Sequence, residues 1–168
     1  MTLRMVLNIL GICGAGAFTG TLLTIALILG DYWKSIPPGE FLEWFRANEH
    51  LLVRMIAIVA TPTAIGVLGS LLLALRSPPS LLWWGLSFAA LLALAVITVL
   101  VHLPMNASFS AKSVPLDQVG PTIDSWLSWH AIRIGLGLLA TVTAVLGTTL
   151  RPAKEPAAAA TNAVNFLP

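Results

Sequence analysis

Trp126, His130 and Arg133 follow one another at helical spacing inside an apolar stretch of this 168-residue chain. With Trp129 they complete the i, i+3, i+4, i+7 pattern that places side chains on one helical stripe. An imidazole can take a proton from a phenol or an activated carbon, and a buried guanidinium can stabilise the oxyanion or enolate left behind. Such an electron-rich anion can react directly with dioxygen. A charged side chain in a bilayer costs from about 3 to more than 10 kcal/mol, so Arg133 at this position calls for a functional reason. His130 and Arg133 are the first catalytic candidates, with His130 as general base or metal ligand. Asn106 is a third, as an orienting hydrogen-bond donor. Trp126 and Trp129 supply apolar or stacking walls for a substrate.

The elements that must hold these groups are membrane spans. Hydrophobic residues make up 57% of the chain and charged ones only 10%, which is the composition of an integral membrane protein. Four stretches reach the roughly 20 apolar residues a spanning helix needs: Val6 to Leu29, Leu51 to Leu75, Leu81 to Leu103, and Trp126 to Leu150. The expected fold is all-α, an antiparallel four-transmembrane-helix bundle forming a single domain over residues 1–150. The first run is too long for a signal-peptide core and lacks a cleavage site, so it is expected to be retained. Residues 151–168, rich in Pro, Ala and Asn, are expected to form a disordered cytoplasmic tail.

The expected location is the bacterial inner membrane, and Arg4, Arg76, Arg151 and Lys154, which fall on one side of a four-span topology, predict that both termini are cytoplasmic. A net charge of +2 argues against a nucleic-acid partner. The partners expected are the lipid bilayer and a small apolar molecule, and a homo-oligomer is left open. Cys13 is the single cysteine, so no disulfide forms within the chain.

The same topology brings His50, His102 and His130 to the outer side. Neutral imidazoles converging from separate helices suit copper, iron or zinc, which makes these three the candidate metal ligands, with proton relay as the alternative role for His50 and His102. Cofactor-independent use of dioxygen is the alternative, since no HExxH or CxxC spacing is present. Arg54, one turn deeper than His50 on the same face, and Glu49 are candidate substrate-binding groups. Asp31 and Asp124 could also reach the mouth of such a pocket.

Glu40 to His50 has helical periodicity, with Phe41, Trp44 and Phe45 on one face. It predicts a short interfacial helix between helices one and two, positioned to roof the bundle. Gly16 and Gly20 have the GxxxG spacing that permits close helix approach. Pro62 should bend helix two and free a backbone carbonyl. After Pro104 and Asn106 a polar loop of about 20 residues runs to helix four, long enough to suggest function or mobility.

His102-Leu103-Pro104-Met105-Asn106, followed by Pro121, Asp124 and the run from Trp126 to Arg133, resembles the Pro-x-Asn and Trp-x-x-Trp-His-x-x-Arg pattern of the anthrone oxygenase-like family of small four-helix membrane proteins. The likeness covers the four-helix layout and is sharpest from Val101 to Gly137. Pro104, Asn106, Trp126, Trp129, His130 and Arg133 are the matching positions. The resemblance implies oxidation of an apolar or aromatic substrate, since some relatives are linked to conversion of anthrones to anthraquinones. The reading is a membrane-embedded oxidoreductase, an oxygenase or oxidase with an outer His/Arg/Asn pocket. The competing reading is a non-enzymatic membrane subunit or ligand-binding module whose polar cluster is structural.

Overall fold

The computed structural model describes residues 1–75 and 77–149. The proposed tail therefore lies outside the described residues. Within them the chain is all helical, and four helices are long and apolar enough to cross a membrane: α1 (Leu3–Ser35), α2 (Pro38–Ala74), α3 (Pro78–Ser110) and α4 (Leu116–Thr149, opening with a single 3-10 turn). Each packs against its sequence neighbours, and α4 closes the ring against α1.

The helices extend beyond the expected spans. Glu40 to His50 is helical but is not a separate element, because α2 runs without a break from Pro38 to Ala74. Its Phe41 and Phe45 are fully buried and meet Trp33, Phe109 and Trp126 in an aromatic cluster that roofs one end of the bundle. Edge-to-face pairs within it, such as Trp33 with Trp126 at 5.3 Å, each add about 0.5–1.5 kcal/mol beyond burial. The long polar loop is also replaced. α3 continues to Ser110 and stops there because Lys112 takes a left-handed backbone, φ 55°, and Ser113 N–H caps the Ser108 carbonyl at 3.0 Å. This six-to-one closure commonly ends a helix. Helix four is under way by Val119, with Pro121 in its first turn where the missing N–H is harmless.

Lipid tails are as apolar as Leu, so the bundle must be held by close packing and interhelical hydrogen bonds. The tight approach is between Gly11 of α1 and Gly66 of α2: a Cβ on Gly66 would stand 2.1 Å from the Gly11 nitrogen. Gly16 and Gly20, the expected contact pair, have no such neighbour, with Thr141 at 3.9 Å from the former and nothing within 4 Å of the latter. Gly16 and Gly20 sit roughly 140° and 180° round α1 from Gly11 at about 100° per residue, so the face that meets α2 is on the other side of the helix. Gly66→Ala is expected to lower stability by about 1–3 kcal/mol, the cost of overpacking against rigid backbone, measurable as a lowered midpoint in detergent unfolding. Across the bundle, Ser87 Oγ donates to the Ala140 carbonyl at 2.9 Å and ties α3 to α4.

α2 stays helical through Pro62. The proline cannot serve the Ile58 carbonyl, and the flanking hydroxyls of Thr61 and Thr63 donate to Ala57 and Val59 at 2.8 and 2.6 Å. Two turns are wound wider than α-helix: Ile25–Gly30 in α1 and Thr98–His102 in α3. The second has a local cause. Pro104 offers no N–H to Leu100 and its ring crowds that carbonyl, and Leu103 N–H reaches back to Thr98.

Candidate functional site

The two wide turns face the polar residues of α4, as single π-turns at functional sites often do. His130 is fully buried, and Arg133 is 4% exposed. The His130 Nε2–H donates to the Leu22 carbonyl at 2.9 Å, just before the π-turn of α1. A carbonyl can only accept, so Nε2 carries the proton and Nδ1 has a free lone pair. Arg133 Nη1 donates to that Nδ1 at 3.4 Å. His130 is thereby locked between a backbone acceptor on one side and a guanidinium donor on the other.

Trp126 stacks on the His130 ring at 4.7 Å with 17° between planes. Its indole N–H donates to Asn106 Oδ1 at 2.8 Å, joining α4 to α3. Asn106 therefore acts on Trp126 through its oxygen, and its amide nitrogen holds no hydrogen bond among the described residues. His102, 1% exposed, lies edge-on to Trp126 at 4.7 Å and 5.8 Å from His130. Neither of its ring nitrogens makes a hydrogen bond among the described residues.

Arg133 also lacks a carboxylate partner among the described residues. The two ion pairs among the described residues are Lys34 with Asp124 at 2.7 Å, and Lys112 with Glu43. Glu49 is engaged by the Ser110 hydroxyl, so neither Asp124 nor Glu49 is free to compensate the guanidinium. Arg133 Nε is buried without a hydrogen-bond partner among the described residues.

A cavity of about 240 Å³ opens beside these groups, lined by His102, Asn106, Trp126, His130 and Arg133 and walled by Leu52 and Ile56 of α2. A second, almost wholly apolar cavity of about 270 Å³ continues from it, and the two share Ile56, Thr98 and Arg133. Both lie between α2 and α3, the most loosely packed neighbours in the ring. Their rim carries outward-facing Val53, Val99 and Leu103. The opening therefore faces the lipid side of the bundle rather than either end.

Four of the expected residues do not join this cluster. His50 and Arg54 are exposed. At about 100° per residue they sit roughly 140° and 180° round α2 from buried Phe45. The three-histidine metal set thus does not assemble, and no group of three His, Cys, Asp or Glu among the described residues could hold a metal ion. The donors present fit one poorly, since both His130 nitrogens are engaged and a guanidinium occupies the position beside Nδ1. Trp129 is 40% exposed. It lies about 60° round the helix from Trp126, at the edge of the buried stripe, where a tryptophan suits the lipid interface. Glu49 lies outside the cavity lining. The residues missed from the sequence were the Leu22 carbonyl, which has no side-chain signal, and Thr98, whose place beside the Pro104-induced wide turn was a usable clue.

A four-helix integral membrane protein with an apolar cavity between helices, and an imidazole and guanidinium at its floor, is the class this fold and site define. A model of the anthrone oxygenase family matches residues 41–143, which is more than half of the chain, and the chain belongs to that family. Comparison with curated proteins and with solved structures returned no match.

Proposed function

We infer that the chain is an oxygenase that oxidises a small apolar aromatic substrate entering from the bilayer through the gap between α2 and α3. The observation that carries this reading is Arg133, buried without a carboxylate partner at the floor of a lipid-facing cavity. A site of that kind favours a ligand that arrives neutral and becomes anionic. An anthrone-type substrate does so: loss of a proton from its ring methylene gives an enolate whose charge sits on oxygen. In this assignment His102 accepts the proton, because its nitrogens are the unpartnered imidazole atoms at the cavity. Arg133 holds the oxyanion, and His130 aims the guanidinium through Nδ1. Dioxygen is the oxidant: the methylene becomes a carbonyl, one oxygen atom enters the product and the other leaves as water.

The reaction runs without a step through a metal, in keeping with the donor set. The test is dioxygen uptake by the purified full-length chain in detergent, with a hydroxylated anthrone, measured above spontaneous oxidation. Uptake equal to the quinone formed is expected. Uptake no faster than in protein-free detergent would overturn the assignment and leave the polar cluster a structural tie or a binding site.

A further inference from the structure

At the far end of the bundle from the aromatic roof, a cavity of about 290 Å³ is lined by Arg4, Asn8, Ser77, Ser80, Trp84 and Thr148, among others, and no carboxylate among the described residues borders it. Arg4 donates to the Leu73 carbonyl at 3.0 Å, which fixes the guanidinium at the end of α2 and leaves its other N–H groups available. Ser70 donates to Asn8 Oδ1 at 2.9 Å, so the carboxamide keeps its NH₂ as the free end. Ser80 is 8% exposed and Trp84 only 2%. Both residues border the cavity, and each carries a donor, the Ser80 hydroxyl and the Trp84 indole N–H. The indole is aimed by its surroundings: its ring edge rests near Gly11, and its nitrogen lies where a Cβ on Gly147 would be 2.8 Å away. Gly147 borders the same cavity, so the absent side chain leaves the N–H its space.

We propose that this cavity is a phosphate site, filled by the headgroup of an anionic phospholipid or by a free phosphoryl group. A guanidinium, an amide, a hydroxyl and an indole N–H converge there as donors, and phosphate oxygens accept from all four. The flanking Leu73, Ala74 and Trp84 ring supply the apolar border that a lipid's glycerol backbone would meet. The site is separate from the His102 and Arg133 cavity and does not rest on the oxygenase reading.

The test is native mass spectrometry of the full-length chain in neutral detergent, titrated separately with phosphatidylglycerol, diacylglycerol and inorganic phosphate. Phosphatidylglycerol is expected to bind and diacylglycerol not to. Arg4→Gln and Trp84→Phe should each weaken binding about tenfold, the usual effect of losing one hydrogen bond to a charged group. Ser80→Ala is the milder third variant, which leaves the packing of the tryptophan intact. Inorganic phosphate that binds and is not displaced by the lipid would support a free phosphoryl ligand instead. Equal retention of diacylglycerol, wild-type affinity in all three variants, or no binding of either phosphate-bearing probe would overturn the site.

Discussion

Arg133→Met is expected to give a bundle at least as stable as the parent that turns over an anthrone substrate about 10²–10³-fold more slowly. The two halves of this expectation have separate causes. In the resting protein the guanidinium is 4% exposed, pairs with no carboxylate, and has its Nε without a partner. Replacing even a buried ion pair by apolar side chains of similar volume is often neutral or stabilising by about 1–4 kcal/mol, and an unpaired guanidinium has no Coulombic attraction to lose. The lost contact to His130 Nδ1, at 3.4 Å, is weak and offsets little of that. Removal of one oxyanion donor, by contrast, commonly costs about 10²–10³ in kcat.

Unfolding in detergent and steady-state dioxygen uptake measure the two halves independently. Arg133→Lys refines the result. It restores a charge but not the planar fork, and the shorter reach of its contacts should recover only part of the rate. A fall in stability together with unchanged turnover per folded molecule would show Arg133 to be a structural tie.

The stripe that carries this chemistry was legible because α-helical spacing alone places Trp126, His130 and Arg133 on one face. The structure brings those three together. Position along the membrane normal was equally legible for His50 and Arg54, but their rotation about the helix axis was not used. The apolar stripe of α2 is Phe41, Phe45, Leu52 and Ile56, all within the aromatic cluster or packed against it. His50 and Arg54 fall on the opposite side of that stripe. Reading the segment before Leu51 as a separate helix broke the continuity that would have shown this.

Other features lay beyond side-chain patterns. His130 is fixed by a backbone carbonyl, and small-residue spacing on α1 names several glycines without saying which one α2 touches. Gly11 meets Gly66 because the crossing point depends on the partner helix as much as on α1. The four spans were visible in hydropathy, yet their true ends were not: α2 begins at Pro38 inside the aromatic roof, and α3 runs through polar sequence to Ser110, where the Lys112 turn stops it.

His102→Leu should reduce turnover about 10²–10⁴-fold, the range for loss of a positioned base, with little change in stability. Its imidazole is 1% exposed and both nitrogens are unpartnered, so the fold gains no hydrogen bond from it. An apolar replacement of unsatisfied polar atoms can be nearly neutral. His130→Leu sets the contrast. It breaks the bond to Leu22 and the stack on Trp126, and should cost about 1–3 kcal/mol as the Leu22 carbonyl loses a partner. The two buried histidines, 5.8 Å apart, are thus expected to separate by role: His102 in rate, His130 in stability as well as rate. A substrate deuterated at the methylene distinguishes the chemistry from mere loss of packing. If His102 takes the proton, its removal makes that step limiting and the isotope effect on dioxygen uptake rises. A rate loss with no rise in isotope effect, or a greater loss in His130→Leu at equal folded protein, would move the base from His102 to His130.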